Sequence, residues 1–222
     1  MRKLIQRAAV CLGAFVFIQP ALAGGNAENG EKLVAVCSAC HSNDGNSASP
    51  LFPKIAGLGE KYIYKQLKDI ANKDPKKPSR EIAEMTGMLD NLSDQNLQDI
   101  AAYFAAQPLT LSGAKNISVK LGSGVVLEAA ETLALGEKIY RAGNADKNIA
   151  ACTACHSPTG SGNGPAGYPR LGGQYAEYIE KQLKAFQAGD RTNDDAEVMR
   201  DVAANLSAAE IKAVSNYISG LQ

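Results

Sequence analysis

The sequence has no tryptophan, only two histidines and no excess of charge of either sign. Its 23 lysines and arginines are balanced by 23 aspartates and glutamates, so it lacks the basic character typical of proteins that bind nucleic acid. After residue 23 it also lacks any apolar run as long as the ~20 residues that a membrane-spanning helix needs. We therefore expect a soluble protein with no nucleic-acid partner, no membrane span and at most a loose association with a membrane surface.

Residues 1–23 have the three parts of a secretory signal peptide. A basic start is followed by an apolar run over residues 8–18 and by the small-residue sequence Ala-Leu-Ala at 21–23. The alternative is a membrane anchor, but the apolar run is too short for the ~20 residues of a spanning helix. Cleavage after residue 23 removes Cys11, which leaves four cysteines and 20 basic against 23 acidic residues, a formal charge of −3.

The rest of the chain is an internal duplication. The motif Cys-Ser-Ala-Cys-His at 37–41 recurs as Cys-Thr-Ala-Cys-His at 152–156, and the flanking sequences recur in the same order. These flanks are Gly30-Glu-Lys32 and Gly136-Glu-Lys138, Pro53-Lys-Ile-Ala-Gly57 and Pro169-Arg-Leu-Gly-Gly173, and Tyr62-Ile-Tyr-Lys-Gln-Leu67 and Tyr178-Ile-Glu-Lys-Gln-Leu183. The repeat predicts two similar domains, at residues 24–107 and 132–222, joined by a linker rich in Ser, Gly and small residues at 108–131.

Each half has the periodicity of α-helices. After Ser93 and after Ser207, apolar residues recur at the spacing of one helix face. They are Leu97, Ile100, Ala101 and Phe104 in the first half and Ile211, Val214 and Ile218 in the second. Both serines are placed as N-caps, and Glu210 completes a capping box for which the first half offers Asn96. With three or more helices per half and no convincing strand, the pattern predicts an all-α fold of two tandem domains.

Both cysteine motifs have the form Cys-x-x-Cys-His, the signature of covalent c-type haem attachment. The residues assigned in this way are Cys37, Cys40, Cys152 and Cys155 for the thioether bonds, and His41 and His156 as axial ligands of the iron. A dithiol oxidoreductase would not explain the histidine that follows each motif. A zinc site assembled from both halves would not need a separate methionine landmark. We therefore predict two haem c groups, each built into one domain as a large internal hydrophobe.

Methionine is the candidate for the sixth position of each iron, because both histidines are already used. Residues 24–222 contain three methionines, Met85, Met88 and Met199. Met85 follows its motif histidine by 44 residues and Met199 by 43, whereas Met88 aligns with Val202. A single buried methionine is more often core packing, but the duplication favours Met85 and Met199 as ligands and gives Met88 an apolar packing role. His/Met ligation raises the reduction potential and favours electron transfer over oxygen or peroxide chemistry.

A ligating histidine also needs an acceptor for its other ring nitrogen. Pro53 and Pro169 follow the two histidines by 12 and 13 residues, so their backbone carbonyls are candidates. The alternative role of these prolines is to shape the loop, and the sequence is consistent with both roles.

Taken together, the motifs resemble those of the dihaem cytochrome c4 family over nearly all of residues 24–222. Besides the cysteine motifs, the resemblance rests on Phe52-Pro-Lys-Ile-Ala-Gly57, Glu84-Met-Thr-Gly-Met88 and Tyr168-Pro-Arg-Leu-Gly-Gly173. It implies two class I cytochrome c domains that face each other across a haem–haem interface. It also implies that the first and last helices of each domain cross at Gly30 and Gly136, opposite Tyr103 and Tyr217. The segment 117–126 looks longer than in the family, which leaves the interdomain geometry open.

The resemblance further implies a soluble electron carrier, not an enzyme, in the periplasm of a Gram-negative bacterium. Its donor would be a quinol-oxidising complex, a quinol:cytochrome c reductase, and its acceptor a terminal oxidase or similar protein. Two alternatives are a dihaem peroxidase, in which one iron opens to peroxide, and an electron-entry subunit of a larger respiratory complex. The duplicated methionine argues against the peroxidase.

The loops before the two ligand methionines differ in charge. Residues 73–80 have a formal charge of +3 and residues 190–197 a formal charge of −3. We expect this asymmetry to separate the two haem potentials and to orient the protein on its partners, since local fields act on encounter rates. The alternative is a pair of solvated loops with no such role.

Overall fold

The computed structural model describes residues 24–222 except 75, 77 and 78. The predicted signal peptide therefore lies outside the described residues. The described residues form nine α-helices, three short 3-10 turns and two short strands. The helices are α1 (Ala27–Glu31), α2 (Ala35–His41), α3 (Glu60–Ala71), α4 (Asp94–Ala106), α5 (Ala129–Ala142), α6 (Thr153–His156), α7 (Ala176–Ala188), α8 (Val198–Ala204) and α9 (Ala208–Ser219). In this part of the chain, no helix combines the length and apolarity needed to cross a bilayer.

The helices pack into two groups in chain order, each around its own hydrophobic core. In the first half, α4 packs against α1 and α3; in the second half, α9 packs against α5 and α7. Ile100 and Phe104 are almost fully buried in the first core, as are Ile211 and Val214 in the second. The apolar faces predicted after Ser93 and Ser207 are thus the core faces of α4 and α9.

The first and last helices of each half cross at a glycine, as the family resemblance implies. A Cβ at Gly30 would overlap a backbone oxygen of α4 and lie 2.8 Å from the Cβ of Tyr103. A Cβ at Gly136 would overlap a backbone oxygen of α9 and lie 2.8 Å from the Cβ of Tyr217. Both glycines therefore allow an approach of two helices that no side chain would permit.

Both predicted capping boxes are present. The Ser207 hydroxyl accepts a hydrogen bond from the Glu210 N–H at 3.3 Å, and the Glu210 carboxylate accepts one from the Ser207 N–H at 2.8 Å. Ser93 and Asn96 make the same two bonds, at 3.2 and 3.0 Å. The carbonyl oxygen of an asparagine side chain thus takes the place of a carboxylate at the start of α4.

The segment predicted as a linker contains a small antiparallel ribbon that the sequence analysis did not predict. Strands β1 (Val119–Lys120) and β2 (Val126–Leu127) pair across a turn in which Gly124 has a φ of +91°. Each strand has only two residues, which is too short for the alternating pattern by which a strand is predicted from sequence. Helix α5 begins at Ala129, three residues inside the predicted linker 108–131.

The chain before this ribbon lies along the second half. The Ser112 N–H donates to the Gly173 carbonyl at 3.0 Å, and the Gly113 N–H donates to the Ser219 carbonyl at 2.9 Å. The Asn216 side chain then pairs with both backbone groups of Lys115, at 2.8 and 2.9 Å. The segment is therefore bound to α9 and its neighbours by specific hydrogen bonds.

Candidate haem sites

Each cysteine motif folds as a short helix that ends at its histidine. Cys37 and Cys40 lie on α2. Cys155 lies on α6, and Cys152 is the residue that precedes this helix. Residues three apart share one face of a helix, so each motif presents both thiols on the same side. His41 and His156 are the last residues of these helices. The local fold therefore brings two sulfurs and one imidazole together, as covalent haem attachment requires.

The residue after each histidine has a backbone conformation that side chains rarely adopt. Ser42 has φ 66° and ψ 162°, and Ser157 has φ 68° and ψ 160°. This region is populated almost only by glycine and costs on the order of 1–3 kcal/mol for other residues. The same strain at the same place in both halves shows that the sharp exit from the motif helix is part of the site.

The two histidines make the same hydrogen bond. The Nδ1 of His41 lies 2.9 Å from the Pro53 carbonyl, and the Nδ1 of His156 lies 2.9 Å from the Pro169 carbonyl. The carbonyls of both prolines are therefore the partners of the histidine ring nitrogens, the first of the two roles considered for these prolines. Burial lowers the pKa of both histidines, although the proline carbonyls act in the opposite direction. Both imidazoles are therefore neutral near pH 7, and Nε2 is the nitrogen available to a metal.

The first thiol of each motif lacks the acidity of a redox-active dithiol. Burial raises the pKa of Cys37, and it raises the pKa of Cys152 to about 11. Dithiol oxidoreductases depend on a lowered thiol pKa, because the thiolate is the nucleophile. The four motif cysteines form no disulfide within the described residues. Neither Cys37 nor Cys152 therefore has the lowered pKa that the oxidoreductase alternative requires.

A large apolar cavity lies next to the first motif. Its volume is about 940 Å³, at the upper end of the ~300–1,000 Å³ of ligand pockets. The functional residues at its wall are Cys37, Cys40, His41 and Met85. The apolar residues there include Ile55, Leu58, Leu67, Ile100 and Phe104. Two thiols, a neutral imidazole and a thioether around one apolar cavity fit a covalently bound haem. Over the described ranges, no group of three or more His, Cys, Asp or Glu side chains is placed to hold a bare metal ion.

The methionines differ in exposure. Met85 ends a 3-10 turn and is partly buried, whereas Met88 is 44% exposed, although both line the cavity. The exposure of Met88 is more than a packing role requires. In the second half, Met199 lies on α8, partly buried, and its N–H donates to the Asp194 carboxylate at 3.0 Å. Burial thus favours Met85 over Met88.

An aromatic ring contacts each histidine edge to face. The Phe52 and His41 ring centroids are 6.3 Å apart, and those of Tyr168 and His156 are 6.1 Å apart. The duplication therefore extends to the packing that fixes the plane of each imidazole.

Two arginines connect the halves in a reciprocal way that the sequence analysis missed. Arg80 donates to the glutamine of its own half at 2.9 Å, and to the tyrosine and glutamine of the other half at 3.0 Å each. Arg191 donates to the glutamine of its own half at 2.7 Å, and to the tyrosine and glutamine of the other half at 3.3 and 3.1 Å. The acceptors are Tyr62 and Gln66 of α3 and Tyr178 and Gln182 of α7. These residues occupy equivalent positions in the repeat, so the contact has an approximate two-fold symmetry.

The positive charges of the two arginines need compensation by negative charge. Their hydrogen bonds go to amide and hydroxyl oxygens, and both residues line the cavity. Arg80 is buried and Arg191 is partly buried. A buried cation is costly unless an anion compensates it, and the carboxylates of a haem would do so. Both arginines belong to the charged loops before the two methionines. They follow their glutamines by 14 and 9 residues, so the repeat alignment does not pair them. The repeated tyrosine and glutamine were the available signal.

Known proteins match this chain over both halves. The family model described as Cytochrome c matches residues 27–107 and 133–222. Cytochrome c4 of Stutzerimonas stutzeri is 52% identical over 204 residues, which are 90% of this chain and 90% of the relative. The crystal structure of reduced recombinant cytochrome c4 from Pseudomonas stutzeri matches with a TM-score of 0.80 at 49% identity, covering 89% of this chain and 100% of that one. The thiosulfate dehydrogenase electron acceptor of Stutzerimonas stutzeri (strain A1501) is 33% identical over 186 residues, 83% of this chain and 78% of the relative.

Proposed function

Because the chain belongs to the cytochrome c family and, within it, to the cytochromes c4, two-haem electron-transfer proteins, we propose that it is a soluble periplasmic shuttle for single electrons. The observation that carries the proposal is the equivalence of the two sites. In both, a pair of cysteines lies on or directly before a short helix that ends at a neutral histidine, and a proline carbonyl lies 2.9 Å from the Nδ1 of that histidine.

The chain's own residues have distinct tasks at these sites. When bound, each haem supplies reversible one-electron chemistry at its iron. The cysteines Cys37, Cys40, Cys152 and Cys155 would attach the two groups. His41 and His156 would each offer Nε2 to an iron, and Met85 and Met199 would each offer a thioether. Arg80 and Arg191 would hold carboxylates, and the apolar walls would keep water out. An iron held by both a histidine and a methionine would have no place for a substrate, which suits a carrier.

Intact mass tests the attachment directly. We expect a mature chain beginning near Gly24 that carries two haems through four thioethers. A mature chain with one haem or none would overturn the assignment of the motifs, and a chain retaining residues 1–23 would overturn the proposed export.

Carbon monoxide separates the carrier from the dihaem peroxidase. A peroxidase needs one iron open to its substrate, whereas both halves of this chain provide a histidine and a methionine. We expect the ferrous protein not to bind carbon monoxide rapidly at neutral pH. Rapid stoichiometric binding at one haem would favour the enzyme. A stable free protein, isolated without partner subunits, would count against the electron-entry subunit.

The proposed donor is a quinol:cytochrome c reductase, and the proposed acceptor is a terminal oxidase or similar protein. The name of one relative, a thiosulfate dehydrogenase electron acceptor, supports a second donor, a dehydrogenase that oxidises thiosulfate. Stopped-flow reduction by each purified donor distinguishes the two. We expect faster reduction by the quinol-oxidising complex, and faster reduction by the dehydrogenase would replace it as the donor.

A further inference from the structure

A glutamine of the second half is bonded to the loop that supports the first histidine. Gln174 lies just before α7 and is only 2% exposed. Its side-chain oxygen accepts a hydrogen bond from the Lys54 N–H at 3.0 Å, and its Nε2 donates to the Lys54 carbonyl at 2.6 Å. The amide side chain therefore pairs with both backbone groups of one residue, 120 positions away in the chain.

The bonded N–H belongs to the peptide group that holds His41. The carbonyl of the Pro53–Lys54 peptide accepts from the His41 Nδ1 at 2.9 Å, while the N–H of the same peptide donates to Gln174. Hydrogen bonds in such a chain polarise one another. An acceptor on the N–H makes the Pro53 carbonyl a stronger acceptor, which strengthens its bond to the imidazole.

In the second site, the residue at the equivalent position has no amide side chain. In the repeat, Pro53 to Gly57 aligns with Pro169 to Gly173, so the next residues, Leu58 and Gln174, share one position. Leu58 is buried in the apolar core of the first half. Its side chain has no amide, so it cannot bond the peptide group that follows Pro169. The two histidines thus differ in what lies beyond their proline carbonyls.

We propose that Gln174 is a positioning residue that lowers the reduction potential of the first haem from across the contact between the halves. A stronger bond from Nδ1 to the Pro53 carbonyl makes the imidazole a more basic ligand. A more basic ligand stabilises the ferric state and lowers the potential. The inference rests on the proposed ligation of the first iron by His41.

A redox titration of the variant Gln174→Leu, which copies the residue at position 58, tests the inference. We expect the potential of the first haem to rise by at least a threefold change in its reduction equilibrium, about 28 mV at 59 mV per tenfold change. The potential of the second haem should stay unchanged. NMR of protein labelled with ¹⁵N-histidine follows the two Nδ1–H signals, and only that of His41 should move, in the direction of a weaker hydrogen bond.

Two further variants separate this role from general support of the contact. Tyr175→Phe removes the neighbouring hydrogen bond from the Tyr175 hydroxyl to the Ser47 carbonyl, at 2.6 Å, but leaves the Lys54 peptide alone. It should change neither potential. If Gln174→Leu does not fold, Gln174→Asn makes the same test, because its side chain is one methylene too short to bridge both Lys54 groups.

The outcomes distinguish the inference from the proposed function. If the unaltered protein shows no reversible one-electron titration, or the His41 signals show no ligation, the proposed function fails and the inference with it. If the unaltered protein titrates at two haems but Gln174→Leu moves neither potential, or moves both potentials equally, only the inference is overturned.

Discussion

Met85 and Met88 line the same cavity, and one substitution at each decides which sulfur binds the first iron. Met85→Ala should abolish the weak near-infrared sulfur-to-iron band of one haem and lower its potential, because a thioether favours the ferrous state. Met199→Ala should do the same to the other haem. The readouts are near-infrared spectra of the ferric protein and redox titrations.

Met88→Leu is the matched control for this pair. The two side chains have similar volumes, so the change should lower the free energy of unfolding by less than about 1.5 kcal/mol and leave both bands. The repeat alignment would be misleading if the band disappeared in Met88→Leu and survived in Met85→Ala.

At the residue scale, the sequence predicts contacts that depend on short spacings. The bond from each histidine to a proline carbonyl is such a contact, since 12 or 13 residues of loop separate the partners. Arg80 and Gln174 could not be predicted. Their partners lie on the other half of the chain, about 100 positions away or more, and no local pattern encodes a distance of that kind.

At the scale of elements, the crossing of α1 and α4 depends on the absence of one methyl group. Gly30→Ala would place a Cβ against the Asp99 carbonyl oxygen. The helices must move apart, so we expect the free energy of unfolding to fall by about 1–3 kcal/mol, the usual cost of overpacking. Denaturant unfolding of the haem-containing protein measures the change.

Gly122→Ala provides the control, because a Cβ at Gly122 would have no neighbour within 4 Å. It should change stability by less than about 0.5 kcal/mol, as most surface substitutions do. Equal losses in both variants would mean that the crossing tolerates a side chain.

Among the elements, those with a strong local signal follow from the sequence. The N-caps Ser93 and Ser207 and the apolar faces behind them locate α4 and α9 because capping and periodicity act within one helix. The ribbon of β1 and β2 was missed for the opposite reason. Its two-residue strands are defined by their pairing and by the turn at Gly124.

At the scale of the whole molecule, Arg80 and Arg191 link the two halves, so the removal of either arginine should weaken the contact between the halves. Arg80→Gln and Arg191→Gln should each lower the free energy of unfolding by about 1.5–3 kcal/mol, the range for hydrogen bonds of charged groups. Both should also lower haem potentials, because a nearby cation favours the added electron.

Arg141→Gln is the control for these arginines. Arg141 is exposed and pairs with Glu137 one helical turn away, at 2.9 Å. Such surface pairs contribute about 0.3–0.5 kcal/mol. If Arg141→Gln lowered the free energy of unfolding as much as Arg80→Gln, the effect of removing Arg80 would not come from the contact between the halves.

Not all of the charge in the two loops lies at the surface. Arg80 is buried between the halves. Exposed charges of opposite sign remain, among them Lys76 in the first loop and Asp195 and Glu197 in the second. We expect two separate potentials and rates of reduction by partner proteins that change with salt. Equal potentials together with salt-independent rates would contradict a role for the asymmetry.

The reciprocal contacts of Arg80 and Arg191 are those of an isologous interface, such as two identical subunits form around a two-fold axis. In a homodimer every substitution at such an interface occurs twice, so both redox centres change together. Fusion of the two copies in one chain removes that constraint. Gln174 and Leu58 occupy the same repeat position and have diverged. A tandem gene can thus keep the packing of a symmetric dimer while the residues around each centre change separately.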